Sequence, residues 1–305
     1  MNKRRRQARR TREGEIVSYS SVFRSDLFAN RHIVVTGGGS GIGRCTAHEL
    51  AALGAAIALV GRTESKLAAV AGEIADAGGA PATIHVCDIR DEPTVAATVT
   101  AILEQHGRID GLVNNAGGQF HAPLKHISQK GFDTVVRNNL TGGFLMAREC
   151  FTQWMEDNGG AIVNIIADMW NAMPGMGHSG AARAGMLSLT ETAAVEWQYA
   201  GVRVNAVAPG WIASSGMDTY PEEIKPMLRA LPQFVPLKRW GTESEVSAAI
   251  VFLLSEAAGF ITGSCLRVDG GAPNARGHFP MADHDKAPAY NGFHLAETPR
   301  LLRYE

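Results

Sequence analysis

Thr36-Gly37-Gly38-Gly39-Ser40-Gly41-Ile42-Gly43 directly follows the apolar run His32-Ile33-Val34-Val35. Glycines at this density let the chain turn sharply and bring backbone N–H groups close to a ligand. A helical pattern opens near Gly41, and its N-terminal end adds the positive partial charge that suits a pyrophosphate. A glycine cluster alone is a weak signal. Placed between a strand and a helix, it has the context of a dinucleotide-binding turn. Thr36, Gly37, Gly39, Ser40, Gly41, Ile42 and Gly43 are therefore candidate cofactor-binding residues.

Downstream of this turn the chain alternates between short apolar runs and amphipathic stretches. Runs at 32–36, 55–60, 83–87, 111–114, 161–166, 203–207 and 266–269 are rich in β-branched residues, as strands buried on both faces should be. Helical patterns fill 41–54, 64–78, 93–106, 129–157, 178–200 and 243–256. Strict alternation predicts an α/β fold: one doubly wound, Rossmann-like parallel sheet with helices on both faces. Ligands in such sheets bind beyond the carboxyl ends of the strands. Residues 211–240 interrupt the alternation and are expected to form a lid over the substrate. Residues 18–271 are thus expected to be one domain, preceded by an arm (1–17) and followed by an extension (272–305).

The second strand bears on cofactor choice. An NAD-selective fold places an acid at its end to hold the ribose 2′-hydroxyl. This chain has Gly61 and then Arg62, which repels no 2′-phosphate and offers it a guanidinium. The register favours this role over that of a solvated loop residue, and predicts NADP(H). Asp88, after the third strand, is placed to accept from the adenine amino group, or else is a helix N-terminal acid ahead of Asp91 and Glu92.

Charge and composition narrow the classes. Net charge is −1, yet residues 1–12 hold seven basic residues and no acid, leaving −8 on the remainder. That arm has almost nothing apolar and reads as a solvated, disordered segment rather than a nucleic-acid or lipid contact or a presequence. No stretch has the apolar length to span a membrane. Cys45, Cys87, Cys150 and Cys265 are scattered and read as reduced thiols, so a cytoplasmic protein is expected. His278, His284 and His294 lack metal-ligand spacing, and no metal is expected.

Thr36–Gly43, Asn114-Asn115-Ala116-Gly117, Asn139 in Asn139-Leu140-Thr141-Gly142, Pro209-Gly210 and Val268-Asp269-Gly270-Gly271 together resemble the short-chain dehydrogenase/reductase pattern, in order and at its spacing. The resemblance covers roughly residues 18–271. It implies that Asp88, Ile89, Asn115, Ala116, Gly117, Pro209, Gly210 and Ile212 border a nicotinamide cofactor, and that the enzyme is a homo-oligomer, tetrameric by family.

The sequence departs from that family at its catalytic centre. Most members carry Tyr-x-x-x-Lys after the fifth strand, with a serine upstream. Here the stretch reads His178-Ser179-Gly180-Ala181-Ala182-Arg183, so Ser179 stands in the Tyr slot and Arg183 in the Lys slot. Asn164-Ile165-Ile166-Ala167-Asp168 replaces the serine. A lone serine is a poor acid and arginine stays protonated. Reduction of a C=C bond conjugated to a thioester needs oxyanion donors first, and Asn139, His178 and Ser179 are candidates, with Arg183 at the nicotinamide ribose. His178 is equally readable as a capping or packing residue. Asp168 would orient it or cap a loop.

The same substitutions resemble the enoyl-CoA and 2,4-dienoyl-CoA reductases of lipid metabolism, and Asn114-Asn115-Ala116-Gly117-Gly118-Gln119-Phe120, His178–Gly185 and Asp283-His284-Asp285 resemble the peroxisomal trans-2-enoyl-CoA reductase branch in particular. Ala167-Asp168-Met169-Trp170 and Pro209-Gly210-Trp211-Ile212-Ala213-Ser214-Ser215-Gly216 resemble bacterial citronellol/citronellal dehydrogenases more closely. Three readings follow: an NADP(H)-dependent enoyl-thioester reductase, placed first; an alcohol/aldehyde dehydrogenase for isoprenoid-like substrates; and a non-catalytic NADP(H)-binding protein. The substrate is accordingly an acyl-CoA or an isoprenoid. Met169, Trp170, Met173 and Met176 would line its pocket or else pack in the core, and Lys225, Arg229, Lys238 and Arg239 would meet a CoA phosphate or else form a solvated face.

Overall fold

The computed structural model describes residues 17–220, 222–275 and 277–303, so all of the expected basic arm except Val17 lies outside the described residues. Strands β1 (His32–Thr36), β2 (Ala56–Gly61), β3 (Thr83–Val86), β4 (Gly111–Asn114), β5 (Gly160–Ile165) and β6 (Val202–Pro209) follow one another along the chain. Two short strands, β7 (Ile212–Ala213) and β8 (Gly241–Thr242), and the last strand, β9 (Cys265–Val268), come after them. The helices are α1 (Gly41–Ala52), α2 (Glu64–Asp76), α3 (Glu92–His106), α4 (Gln129–Val136), α5 (Gly142–Cys150), α6 (Glu156–Asn158), α7 (Gly177–Glu196), α8 (Lys225–Ala230) and α9 (Glu243–Leu254).

Seven strands form one parallel sheet in the order β3-β2-β1-β4-β5-β6-β9. The chain winds outward one way from β1 and the other way from β4, so a crevice opens where those two strands diverge. Ile33, Val34 and Val35 of β1 are almost wholly buried because both faces of the sheet are covered. On one face Leu50 of α1, Leu67 and Val70 of α2, and Val246 and Ile250 of α9 pack on Val35 and Leu59. On the other, Val95 and Val99 of α3 and Met146 and Cys150 of α5 pack on Val34 and Leu112.

Local chemistry sets the ends. Asp91 caps α3 by accepting from Thr94 N, and Gly107 ends it in the left-handed region at φ 72°. Thr242 and Glu245 form a reciprocal capping box on α9. The expected single helix over 129–157 is continuous in outline but contains two π-helical stretches, at Arg137–Thr141 and Phe151–Met155. Sequence periodicity does not show such an insertion, because it adds one residue per turn without altering composition.

The insert over 211–240 is closed at its base where β7 pairs with β8 and Trp211 meets Trp240 edge to face, with ring centroids 6.3 Å apart. The C-terminal extension straps this insert at two places. Arg239 Nε donates to the Ala287 carbonyl at 2.7 Å, and Arg229 Nε donates to the Leu301 carbonyl at 2.9 Å. Leu301 N in turn donates to Asp218 at 3.1 Å. Leu301 is buried with Met217 and Leu228. Phe293 of the extension is buried, whereas Phe279 is exposed.

Candidate functional site

The glycine turn lies at the carboxyl end of β1. Gly37 and Gly41 have φ of 66° and 57°, which a side chain would strain. A Cβ on Gly43 would lie 2.4 Å from both Asn115 Nδ2 and the Gly37 carbonyl oxygen. The turn is held from the next strand: Thr36 Oγ1 accepts from Asn115 N at 3.0 Å and Ala116 N at 2.9 Å, and Asn115 Nδ2 donates to Thr36 O at 3.0 Å. Ser40 caps α1 through backbone conformation, and its hydroxyl makes no capping bond. Gly39 packs on Lys66, and Ile42 lines the adjoining cavity.

At the far end of the crevice Arg62 is exposed at the tip of β2. Arg90 grips Asp88 with Nε at 2.8 Å from Oδ1 and Nη2 at 2.5 Å from Oδ2. The Arg90 guanidinium holds the Asp88 carboxyl down at about 2, and Arg62 adds to the effect. Asp88 is therefore ionised and fixed in place, while Asp91 takes the helix-capping role. Ile89 is buried, with its side chain against Gly142.

Past β4 the chain loops over Gly117 and Gly118. Asn139 binds this loop from both sides, accepting from Gly118 N at 2.8 Å and donating to Gly118 O at 3.1 Å. It sits in the first π-helical stretch, is 1% exposed, and does not line the cavity. Arg183 reaches the same loop from α7. Its Nη1 donates to the Ile165 carbonyl at 2.6 Å, and its buried Nε has no partner. Burial pulls this guanidinium down to about 10, still a cation at neutral pH. A buried cation with one carbonyl for a partner is poorly satisfied, and the cavity is what it faces.

That cavity, about 670 Å³, lies beyond the carboxyl ends of β4, β5 and β6. Asn115, Gly117, Arg183, Pro209, Gly210 and Ile212 line one part of it. Trp170, Met173, Met176, Met217, Tyr220 and Phe234 line the other, apolar part under the insert. Among the described lining residues, Asp168 and Arg183 carry the charge. Burial pushes the Asp168 carboxyl up to about 6, and Asp269 adds to this while Arg267 opposes it. One Asp168 oxygen is buried without a partner.

Several expected roles change with the geometry. His178 is fully buried under the edge of Phe120, with ring centroids 4.4 Å apart, and its Nδ1 accepts from Ser179 N at 2.9 Å. It lies outside the cavity lining, so the capping and packing alternative describes it better than proton donation. Ser179 is also fully buried and reaches the cavity through Gln119, donating to Oε1 at 3.3 Å. Met169 packs beneath the site with Ile166 and Met186 instead of lining the pocket.

The four basic residues offered to a CoA phosphate all have partners within the chain. Lys225 pairs with Glu222, Lys238 with Asp283 at 3.4 Å, and Arg239 with Glu245 at 2.6 Å, while Arg229 holds the strap. Sequence reasoning did not single out Gln119 as a site residue or Tyr220 at all. The loop after β4 gave a signal for Gln119. Tyr220 gave none, because a tyrosine in an insert has no register.

Residues 37–273 match the family model described as Enoyl-(Acyl carrier protein) reductase. A probable 2,4-dienoyl-CoA reductase of Bacillus subtilis (strain 168) is 37% identical over 244 residues, covering 78% of this chain and 95% of the relative. A peroxisomal 2,4-dienoyl-CoA reductase of Danio rerio is 35% identical over 257 residues, with coverage of 83% and 85%. A solved structure titled citronellol catabolism dehydrogenase, from Pseudomonas aeruginosa PAO1, superposes with a TM-score of 0.76 at 59% identity, covering 84% of this chain and all of that one. Among the described residues no helix is long and apolar enough to cross a membrane. The sheet order, the glycine turn and these likenesses agree: the chain belongs to the short-chain dehydrogenase/reductase family of nicotinamide-dependent oxidoreductases.

Proposed function

We propose that the protein is an NADP(H)-dependent dehydrogenase/reductase acting on a branched, acyclic, isoprenoid-like alcohol or aldehyde. The observation that carries this is the cavity: methionine and tryptophan side chains under the insert, and no described basic residue of the insert left over for a CoA phosphate. Methionine-rich walls fit irregular aliphatic chains well. The 59% identity to a protein titled citronellol catabolism dehydrogenase supports the same substrate class. This order reverses the one drawn from sequence, where the empty Tyr and Lys slots put enoyl thioesters first.

The residues present fit a nicotinamide dinucleotide. The pyrophosphate would lie on the backbone of Gly37 to Gly43 at the start of α1, with Arg62 at the 2′-phosphate and Asp88 at the adenine. Arg183, whose buried Nε lacks a partner, would meet a ribose hydroxyl near Asn115 and Gly117. Asn139 would hold the Gly117–Gly118 loop in place, and Pro209, Gly210 and Ile212 would border the nicotinamide. When bound, the cofactor supplies or accepts hydride. The insert then excludes water from the reacting carbon. We place the enzyme in the cytoplasm as a homo-oligomer, on the family resemblance and the free cysteines.

A second reading, reduction of the C=C bond of a 2-enoyl thioester, is favoured by Ser179 and Arg183 in the family's Tyr and Lys positions and by the dienoyl-CoA reductase relatives. NADPH oxidation measured in parallel with citronellal, crotonyl-CoA and a longer 2-enoyl-CoA separates the two. Turnover of citronellal is expected. Turnover of a thioester with none of citronellal would replace the first reading by the second.

A further inference from the structure

Every reaction open to this site moves a proton to or from the substrate as well as a hydride, and neither slot of the family's catalytic pair holds a group that can do so. The cavity narrows the choice. His178 is sealed beneath Phe120. Arg183 keeps its proton at neutral pH. Asp168, with its carboxyl raised to about 6 by burial and one oxygen without a partner, has no hydrogen-bonded link to the Tyr-slot serine among the described residues and stands as the rival group. The remaining ionisable group among the described lining residues is Tyr220, half-buried on the inner side of the insert.

The geometry points to Tyr220 as the group that exchanges the proton with the substrate. Ser179 Oγ donates to Gln119 Oε1 at 3.3 Å, and Gln119 Nε2 donates to the Tyr220 oxygen at 3.5 Å. Both bonds run toward the phenol, so the relay steadies the negative charge left on Tyr220 once its proton has gone. The phenol hydrogen itself is directed either at Met176 Sδ, 3.8 Å away, or into the cavity. The sulfur is a weak acceptor that a substrate oxygen would displace. The buried serine in the Tyr slot thus acts as the far end of a relay whose phenol comes from the insert.

Tyr220 is positioned from behind. Asp218, two residues earlier, accepts from Leu301 N at 3.1 Å and pairs with Arg300, and Tyr220 itself packs against the Met217–Leu228–Leu301 group. The strap therefore holds the phenol over the cavity.

For a carbonyl substrate the balance is simple. A bound reduced nicotinamide cofactor would supply the hydride for a C–H bond at the carbonyl carbon, leaving the C=O π pair on the substrate oxygen. The Tyr220 O–H bond breaks, its proton forms the alcohol O–H, and water at the cavity mouth reprotonates the phenolate. Alcohol oxidation is the reverse. For an enoyl thioester the same proton goes to the enolate formed by hydride addition at Cβ. The assignment rests on the proposed reductase reading but not on which of the two substrates is correct.

The test is Tyr220→Phe, with Asp168→Asn as the rival, assayed on whichever of citronellal, citronellol and crotonyl-CoA the unmodified enzyme turns over. Tyr220→Phe is expected to lower kcat by about a hundredfold or more, with the NADPH dissociation constant unchanged. Trifluorotyrosine at 220 should move the basic limb of the kcat profile to lower pH when citronellal or crotonyl-CoA is reduced, and the acidic limb to lower pH when citronellol is oxidised. The other charged groups near it are Asp168 and Arg183 in the cavity and Asp218 and Arg300 behind. A Tyr220→Phe enzyme with kcat within twofold of the parent, or a limb that stays put, overturns the assignment, as does loss of activity in Asp168→Asn alone.

If the unmodified protein turns over none of the three, the reductase reading falls and Tyr220 is judged by binding. In the NADP⁺ complex, the fluorine resonance of 3-fluorotyrosine at 220 should shift on adding citronellol or butanoyl-CoA. An unmoved resonance with both ligands rejects Tyr220.

Discussion

Nη2 of Arg183 occupies the space that a side chain on Gly117 would need: a Cβ there would lie 2.4 Å from it, and 2.8 Å from Asn139 Oδ1. The two polar side chains and the missing one form a single unit beside the cavity. Gly117→Ala should therefore displace the guanidinium and weaken NADPH binding. Arg183→Met should weaken it by about tenfold to a hundredfold, the worth of a charge-assisted hydrogen bond of roughly 1.5–3 kcal/mol. Fluorescence titration of both variants with NADPH checks this. Unchanged affinity in both would separate Arg183 from the cofactor.

The proposed preference for NADP(H) rests on Arg62 at the exposed end of β2. Arg62→Ala should cost about tenfold to a hundredfold in NADPH affinity and leave NADH binding nearly as it was. Because the ionised Asp88 carboxylate stays paired with Arg90, loss of Arg62 should not leave an unpaired negative charge there. Equal affinity of the parent enzyme for NADPH and NADH would defeat the argument.

Glu243, at the start of α9, gives a pH test of stability. Burial raises its carboxyl to about 7; Arg44 opposes the shift and Glu297 adds to it. A carboxyl raised above its unfolded value contributes stability that is fully present below about pH 4.5 and is lost as pH rises through about 7. Glu243→Gln should therefore melt higher than the parent at pH 8, and the gap should narrow at pH 5. Parallel melting curves at the two pH values would show that Glu243 ionises as freely as in the unfolded chain.

The strap gives a test that separates substrate from cofactor. Leu301 is 2% exposed, and truncating a buried leucine to alanine typically costs about 2–5 kcal/mol. Leu301→Ala, or a chain ending at residue 298, should raise KM for the substrate and lower kcat while NADPH affinity holds. The contacts described for this part of the extension run to Asp218, Met217, Leu228 and Arg229 of the insert. Loss of NADPH binding in step with substrate would mean that the strap supports the whole fold.

Much of this was legible in the sequence because its physics is local. Each strand is a short apolar run and each crossover helix has a 3.6-residue period, so β1 and β4 are found at their observed limits, His32–Thr36 and Gly111–Asn114. The glycine turn and the position of Arg62 follow from register at the ends of β1 and β2. The proton donor does not. Ser179, Gln119 and Tyr220 stand 60 and 101 residues apart along two links, and tertiary packing alone brings them together. His178 misleads for the opposite reason: its neighbours in sequence are site residues, but its ring points beneath Phe120. The basic residues of the insert look available in sequence because their partners, such as Asp283 and the Leu301 carbonyl, lie in the extension.

A π-helical stretch is an α-helix carrying one residue too many, and Asn139 sits inside such a surplus at Arg137–Thr141. Deleting a single residue between Leu140 and Gly143 would let the helix close into an ordinary α-helix. It would also turn everything upstream by about 100° relative to everything downstream. Asn139 would then point away from Gly118. The regular helix would be the better-formed one, and the loop over Gly117 would lose both of its clasps. In this region a one-residue gap or insertion among homologous chains marks a change in the site, whereas substitutions that keep the count leave its frame intact.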